Sequence, residues 1–176
     1  MSKTNSLHYQ LCLEGAKWLK KRKNHEYLET PWKYIAVELC VYGCENPDIW
    51  AFNGWSTIIV EVKTSRQDFF NDPKKWWNQP GHENCIGGNY RYYLTPKGLL
   101  KPDDLPGGVG LLEYDGKNIE RVHKAFRHDV SNHADMIILA SILRREHFKE
   151  GIYNYRDCPT TIHSKEYSPF QQDMKI

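Results

Sequence analysis

The spacing of apolar residues along the chain predicts an alternation of helices and strands. Residues 7–23 read as a helix, because apolar side chains recur at helical spacing from Leu7 to Trp18 and a basic run closes the segment. Residues 33–42 alternate with the period of two that a strand requires. We therefore expect the odd-numbered apolar residues of 35–41 to share one face of that strand.

Two hairpins are indicated by turn signals that separate alternating apolar segments. Asn53-Gly54 indicates the turn of the first hairpin, and Asp115-Gly116 indicates the turn of the second. The strands expected from the two hairpins and from one further apolar segment are residues 47–52, 56–63, 90–95, 109–114 and 119–126.

Two more helices are predicted from capping residues. Ser65 followed by Asp68 is a variant of the capping box, and Pro73 should kink or break the helix that begins there. Asn132 with Asp135 opens a last helix in the same way. The residues of this last helix expected to face the interior are Met136, Ile137, Ala140 and Leu143.

These elements predict a single α/β domain over residues 1–176, with a central mixed sheet flanked by helices. The composition agrees, because 40% of the 176 residues are hydrophobic and 13% are aromatic, which is enough for a sizeable core. We expect a short flexible N-terminal end and a less ordered tail after about residue 157.

Charge and cysteine content narrow the classes of protein that remain. The net charge of +2 excludes a histone-like polycation, so contact with a polyanion must be local. The apolar runs are too short to cross a membrane, and the first residues lack the features of a secretory signal. Five scattered cysteines indicate reduced thiols and a cytoplasmic location, and their spacing is a poor match to zinc-binding patterns.

Three charged residues lie on strands that otherwise look like core. Asp48 begins one strand of the first hairpin, and Glu61 and Lys63 lie on one face of the other. A two-residue turn would set Asp48 opposite Ile59 and diagonal to Glu61, about 7–8 Å away at the backbone, although a longer loop would alter that register. Two neighbouring carboxylates repel unless they share a cation, and Mg²⁺ or Mn²⁺ prefers oxygen ligands of this kind.

The sequence resembles the PD-(D/E)xK nuclease superfamily in its segments PDIWAF at 47–52 and IIVEVKTSRQDFF at 58–70. The resemblance implies a restriction-endonuclease-like fold, typical of small bacterial and phage members. It further implies that Asp48 and Glu61 bind Mg²⁺ or Mn²⁺, that the backbone carbonyl of Val62 is another ligand, and that Lys63 is the catalytic lysine. Members often add one more acid, for which Glu14 on the first helix and Glu38 on the first strand both qualify; the likeness slightly favours Glu38.

Basic residues near these motifs are candidates for contact with nucleic acid. Arg66, Lys74 and Lys75 follow the proposed metal site directly, next to two tryptophans that are expected to belong to the core. Lys20 and Lys21 form part of a basic run that equally suits a solvated helix end.

The sequence therefore predicts a divalent-metal-dependent nuclease that acts on DNA phosphodiesters, with RNA left open as a substrate. The alternative is a nucleic-acid-binding module that keeps the scaffold but cuts nothing. A homodimer would favour cutting of both strands, because each site handles one phosphodiester.

Overall fold

A six-stranded mixed sheet with helices on both faces forms the centre of the protein in this computed structural model, which describes residues 6–21, 32–75, 78–130 and 132–146. The predicted mixed sheet flanked by helices is thereby confirmed. The helices are α1 (Leu7–Lys21), α2 (Arg66–Asn71) and α3 (His133–Arg145). The strands are β1 (Tyr34–Val37), β2 (Ile49–Phe52), β3 (Thr57–Val62), β4 (Tyr90–Pro96), β5 (Gly110–Tyr114) and β6 (Ile119–His123).

The strands lie in the order of the sequence, but their directions are mixed. The pairs β1–β2, β2–β3 and β5–β6 are antiparallel, whereas β3–β4 and β4–β5 are parallel. Strand β3 is buried along its whole length, because α1 covers one face of the sheet while α2 and α3 cover the other. Any polar side chain on β3 is therefore held in the interior.

Helix α1 lies very close to the sheet because of a glycine. A Cβ atom at Gly15 would stand 2.6 Å from the Cδ1 of Ile49 and 2.9 Å from a methyl carbon of Leu94. Leu11, Cys12 and Leu19 are buried on the same side of the helix. This close approach brings the first turn of α1 near the beginning of β2.

The first strand is shorter than predicted, and the expected alternation stops at Glu38. The strand ends at Val37, and Glu38 takes a left-handed backbone conformation with φ of 49°. Beyond it, Leu39 and Val41 pack with Trp50 on the face opposite the α1 side. The prediction that the odd-numbered apolar residues of 35–41 share one face was wrong, because after the backbone turn at Glu38 the later two lie on the other face of the sheet.

The turn of the first hairpin has four residues instead of two. Phe52 pairs with Thr57, and the side-chain oxygen of Asn53 accepts hydrogen bonds from the backbone N–H groups of Trp55 and Ser56. The predicted register, which set Asp48 opposite Ile59, was therefore wrong by two residues. Because side chains alternate with a period of two, a shift of two residues leaves each side chain on its predicted face.

The beginning of α2 is confirmed in detail. The side chain of Ser65 accepts a hydrogen bond from the backbone N–H of Asp68 at 3.2 Å. The α-helix ends at Asn71, and a single 3₁₀ turn containing Pro73 follows, as a helix-breaking proline requires. Trp76, Trp77, the extreme N-terminal end and the tail lie outside the described residues.

The orientation of α3 differs from the prediction. Its buried residues are Ala134, Asp135, Ile138 and Ser141. Met136 is 67% exposed and Ala140 is also exposed, so these two do not face inward. Asn132 makes no side-chain capping bond, and Asp135 is not a capping residue.

Asp135 connects α3 to the sheet instead of capping the helix. Its carboxylate accepts hydrogen bonds at 2.8 Å from the indole N–H of Trp50 and at 2.8 Å from the hydroxyl of Thr57. The backbone N–H of Gly88 donates to it at 3.1 Å. These buried donors explain why the helix rotates Asp135 inward.

Within the described residues, no helix combines the length and the apolar character needed to cross a membrane. The longest of them, α1, has 15 residues.

Replacement of Asp135 by alanine is expected to lower the free energy of unfolding by about 3 kcal/mol, because Trp50, Thr57 and Gly88 would lose the acceptor of their buried donors. Urea denaturation at pH 7 measures this change. Asp103→Ala, which removes an exposed carboxylate, is the matched control and should change stability by less than about 0.5 kcal/mol. Equal losses in the two variants would contradict this account of the α3 interface.

Candidate active site

Asp48, Glu61 and Lys63 come together where β2 begins and β3 ends. The observed register pairs Ile49 with Val60, so the position of Asp48 is level with that of Glu61. The two acids are direct cross-strand neighbours and not the diagonal neighbours that the two-residue turn predicted. This closer placement makes the repulsion between their carboxylates stronger.

A proline lies where the two strands separate. The next pair in the register is Pro47 with Val62, and a proline has no N–H to donate to a strand partner. The carbonyl of Val62 therefore receives no strand hydrogen bond from Pro47, while the N–H of Val62 donates to the Oδ2 atom of Asp48 at 2.7 Å. Since the N–H and C=O of one strand residue point the same way, the carbonyl of Val62 is directed toward Asp48 without a backbone donor from Pro47.

Glu61 is an acid held in an unfavourable environment. Its side chain is only 8% exposed. Burial, together with the negative charge of Asp48, raises the pKa of Glu61 to about 7, although nearby lysines oppose the shift. A divalent cation beside Glu61 would relieve both effects.

Lys63 is almost completely buried and is held by two carboxylates. Its Nζ atom donates to the Oδ1 of Asp72 at 2.8 Å and lies 3.7 Å from the Oε2 of Glu61, with only 3% of the side chain exposed. A buried ammonium group of this kind requires such partners. Lys63 is therefore fixed in one position close to the carboxylate of Glu61.

Lys75 enters the same cluster, although the sequence predicted only a nucleic-acid contact for it. Its Nζ atom lies 2.8 Å from the Oδ1 of Asp72 and 3.5 Å from the Oε2 of Glu61. Burial alone would lower the pKa of Lys75, but the charge of Glu61 and the hydrogen bond to Asp72 raise it. Lys75 is one-third exposed, so its ammonium group connects the buried cluster to solvent.

Asp72 and Tyr93 are site residues that sequence reasoning missed. Burial alone would raise the pKa of Asp72, but the hydrogen bonds from Lys63 and Lys75 keep it below its ordinary value. The hydroxyl of Tyr93 on β4 donates to the Oδ2 of Asp72 at 2.9 Å. In the sequence Asp72 precedes Pro73, where it signals only the end of a helix, so its buried role was hidden.

His8, on the first turn of α1, is a further residue that the sequence did not indicate. Its Nε2 atom lies 3.3 Å from the Oδ2 of Asp48, and its Nδ1 atom lies 3.6 Å from the Oε1 of Glu38 and 3.7 Å from the Sγ of Cys12. Hydrogen bonds with Asp48 and then with Cys12 raise the pKa of His8 to about 10. The only sequence signal was the spacing of four residues between His8 and Cys12, which places both on one helix face.

Of the two additional acids, the structure brings Glu38 and not Glu14 to this site. The backbone N–H of Glu38 donates to the carbonyl of Asp48 at 2.8 Å, and the side chain of Glu38 is 47% exposed beside His8. Glu14 pairs with Lys17 at 2.7 Å and lines a different groove, next to Ile119 on β6. The expectation that Glu14 could bind the metal was wrong, because its direction on α1 leads away from Asp48.

The other basic residues that were predicted to contact nucleic acid lie apart from one another. Both nitrogen atoms at the end of the Arg66 guanidinium bind the carboxylate of Asp104 at 2.9 Å. Lys74 is exposed and donates to the side chain of Asn71 at 3.0 Å. Lys20 and Lys21 are exposed at the far end of α1, roughly 18 Å along the helix from His8. They do not lie at the cluster formed by Asp48 and Glu61.

Comparison with known proteins identifies no family and no activity for this chain. No protein-family model and no curated protein matches the chain. Among solved structures, the chain is similar to a protein of unknown function from Silicibacter pomeroyi, with 22% sequence identity and a TM-score of 0.45. That similarity covers 63% of this chain and 75% of the other, and it carries no argument about activity.

The raised pKa of Glu61 predicts a specific pH dependence of stability. The folded protein holds the Glu61 proton more tightly than the unfolded chain, so its contribution to stability is complete below pH 4.5 and is lost as the pH rises through about 7. Glu61→Gln removes this dependence. The stability of the variant minus that of the wild type should therefore increase by about 3 kcal/mol at most between pH 4.5 and 8.

Urea denaturation in EDTA, repeated across this pH range, measures that difference. Glu120→Gln, at an exposed position on β6, is the matched control and should show a constant difference from the wild type. A difference for Glu61→Gln that stays constant with pH would mean that Glu61 titrates like an ordinary surface acid.

Proposed function

We propose that this protein is a divalent-metal-dependent nuclease of the PD-(D/E)xK type that hydrolyses DNA phosphodiester bonds. The observation that carries the proposal is the convergence of Asp48, Glu61, Lys63 and the backbone of Val62 at one end of the β2–β3 pair. These are the residues that the superfamily resemblance assigned to the metal and to catalysis.

The donor set fits a hard divalent cation such as Mg²⁺ or Mn²⁺. Asp48 and Glu61 would supply carboxylate oxygens, and Val62 would supply a carbonyl oxygen that lacks a donor from Pro47. The pKa of about 7 at Glu61 supports this assignment, because the site disfavours a second negative charge unless a cation is present. When bound, such an ion polarises a phosphodiester and makes a bound water more acidic.

Lys63 is suited to stabilise negative charge on the phosphodiester in the transition state. Its ammonium group is held by Asp72 at 2.8 Å and stays within 3.7 Å of Glu61, so it needs little rearrangement when charge develops. Tyr93 fixes Asp72 from the other side. This arrangement gives the lysine an oriented position that a solvent-exposed side chain would lack.

Lys75 supplies a second positive charge at the boundary between the cluster and solvent. Because it is one-third exposed, it is placed to contact the phosphate backbone of an approaching strand. We assign a supporting contact to Lys74, which is exposed on the adjacent 3₁₀ turn. Arg66 contributes less, because its guanidinium is paired with Asp104.

The proposed enzyme acts in the cytoplasm. The four described cysteines, Cys12, Cys40, Cys44 and Cys85, are free thiols, which supports a cytoplasmic location. A homodimer would bring two sites to one duplex for cleavage of both strands. RNA is an alternative substrate, since the cluster offers phosphate chemistry without a base-reading element.

The purified protein is expected to cut at least one of single-stranded, duplex or branched DNA in the presence of Mg²⁺ or Mn²⁺. Asp48→Asn, Glu61→Gln and Lys63→Met should each reduce the rate at least about 100-fold, because each removes a ligand or a stabilising charge. A gel assay with labelled DNA measures the rate. Glu120→Gln and Lys101→Met, at exposed positions, are matched controls that should keep wild-type activity; cutting by Lys63→Met at the wild-type rate would refute the assignment.

Metal binding provides a test that does not depend on finding the right substrate. Saturating Mn²⁺ should raise the melting temperature of the wild type by about 5 °C and leave that of Asp48→Asn unchanged. The shift should be larger at pH 8 than at pH 6, because Glu61 must lose its proton to bind the ion. A nucleic-acid-binding module without catalytic function would show no shift at either pH.

A further inference from the structure

A cluster of softer donor atoms lies beside the carboxylate pair. His8 and Cys12 face the same side of α1 with a spacing of four residues, and Asp48 approaches them from the start of β2. One donor atom from each of the three side chains lies within 4.8 Å of the others. The cluster therefore combines an imidazole nitrogen, a thiol sulfur and a carboxylate oxygen.

The distances within this cluster are near those of a transition-metal site. The Nδ1 of His8 and the Sγ of Cys12 are 3.7 Å apart. Ligands of one tetrahedral zinc ion, with bonds of about 2.0 Å to nitrogen and 2.3 Å to sulfur, lie about 3.5 Å apart. Because the donor atoms lie within 4.8 Å of one another, closing the site requires a contraction of at most about 1.3 Å between them.

The surroundings of the cluster are suited to holding a cation. Glu38 lies 3.6 Å from the Nδ1 of His8 and is 47% exposed, so it is free to turn toward an ion as a fourth ligand. Asp48 is held by its hydrogen bond from the N–H of Val62, and Cys12 is fixed in the core beneath α1. Three of the four donors are thus positioned by the fold before any ion arrives.

We propose that His8, Cys12 and Asp48 form a binding site for a thiophilic divalent transition metal of the Zn²⁺ class, with Glu38 completing the ligands. Thiolate and imidazole donors favour Zn²⁺ and its neighbours, whereas the oxygen donors around Glu61 favour Mg²⁺. On binding, the imidazolium of His8 and the thiol of Cys12 each release a proton to solvent, and their nitrogen and sulfur lone pairs form the bonds to the ion.

Cobalt is the probe for this site, because Co²⁺ occupies zinc sites and a Co²⁺–thiolate bond absorbs in the near ultraviolet. Titration of the metal-free full-length protein with Co²⁺ should produce this charge-transfer band at a stoichiometry of one ion per chain. Cys12→Ser should abolish the band, and His8→Gln should weaken Co²⁺ binding at least about tenfold. Cys40→Ser, which alters an exposed thiol outside the cluster, should keep the band.

The proposal would be overturned if the wild type gave no Co²⁺–thiolate band or if the band persisted in Cys12→Ser. It would also be overturned if His8→Gln bound Co²⁺ with the affinity of the wild type. If Cys12→Ser fails to fold because Cys12 is buried, the half-buried His8 still decides the question. Lys63→Met separates this proposal from the nuclease proposal, since it should remove cutting but keep the cobalt band.

Discussion

The hydrogen bond from the N–H of Val62 to the carboxylate of Asp48 is the interaction on which the candidate site depends. In the register of β2 and β3, Pro47 stands opposite Val62, and the ladder cannot continue there with a normal pair of hydrogen bonds. The carbonyl of Val62 thus has no donor from Pro47, and the N–H of Val62 donates to the side chain of Asp48. The strand pair is thereby closed by a carboxylate, and this carboxylate is brought beside the buried Glu61.

Glu61 lies in a group of buried and half-buried charged side chains. The carboxylates of Glu61 and Asp72 share a small region with the ammonium groups of Lys63 and Lys75, and the charge of Asp48 acts on Glu61. The two lysines keep the pKa of Asp72 below its ordinary value, whereas the pKa of Glu61 remains raised. Burying so many charges has a large desolvation cost, and an arrangement of this kind is typical of sites that bind ions or perform catalysis rather than of sites that stabilise a fold.

The sequence predicted the elements of the fold better than their details. Ser65 and Pro73 marked the limits of α2 correctly, because capping and helix breaking depend on nearby residues alone. The prediction that Met136 and Ala140 of α3 face inward was wrong, since the buried donors of Trp50 and Thr57 lie far away in the sequence and rotate Asp135 inward. Local patterns cannot reveal such long-range hydrogen bonds.

The same distinction holds for the candidate site. The sequence could predict Asp48, Glu61 and Lys63 because all three lie on one hairpin. The error of two residues in the register of this hairpin leaves each side chain on its predicted face of the sheet. His8, Asp72 and Tyr93 were missed, because three different elements bring them to the hairpin. Glu38 was favoured over Glu14 only by resemblance, and the direction of Glu14 on α1 became visible only in the assembled fold.

The most direct test of this account is the position of a bound metal ion. Crystals of the wild-type protein grown with Mn²⁺ should give an anomalous difference peak between the carboxylates of Asp48 and Glu61, within bonding distance of the carbonyl oxygen of Val62. If Mn²⁺ is absent from this position at saturating concentration, or if it binds only elsewhere on the molecule, the claim that these two acids form a metal site is contradicted.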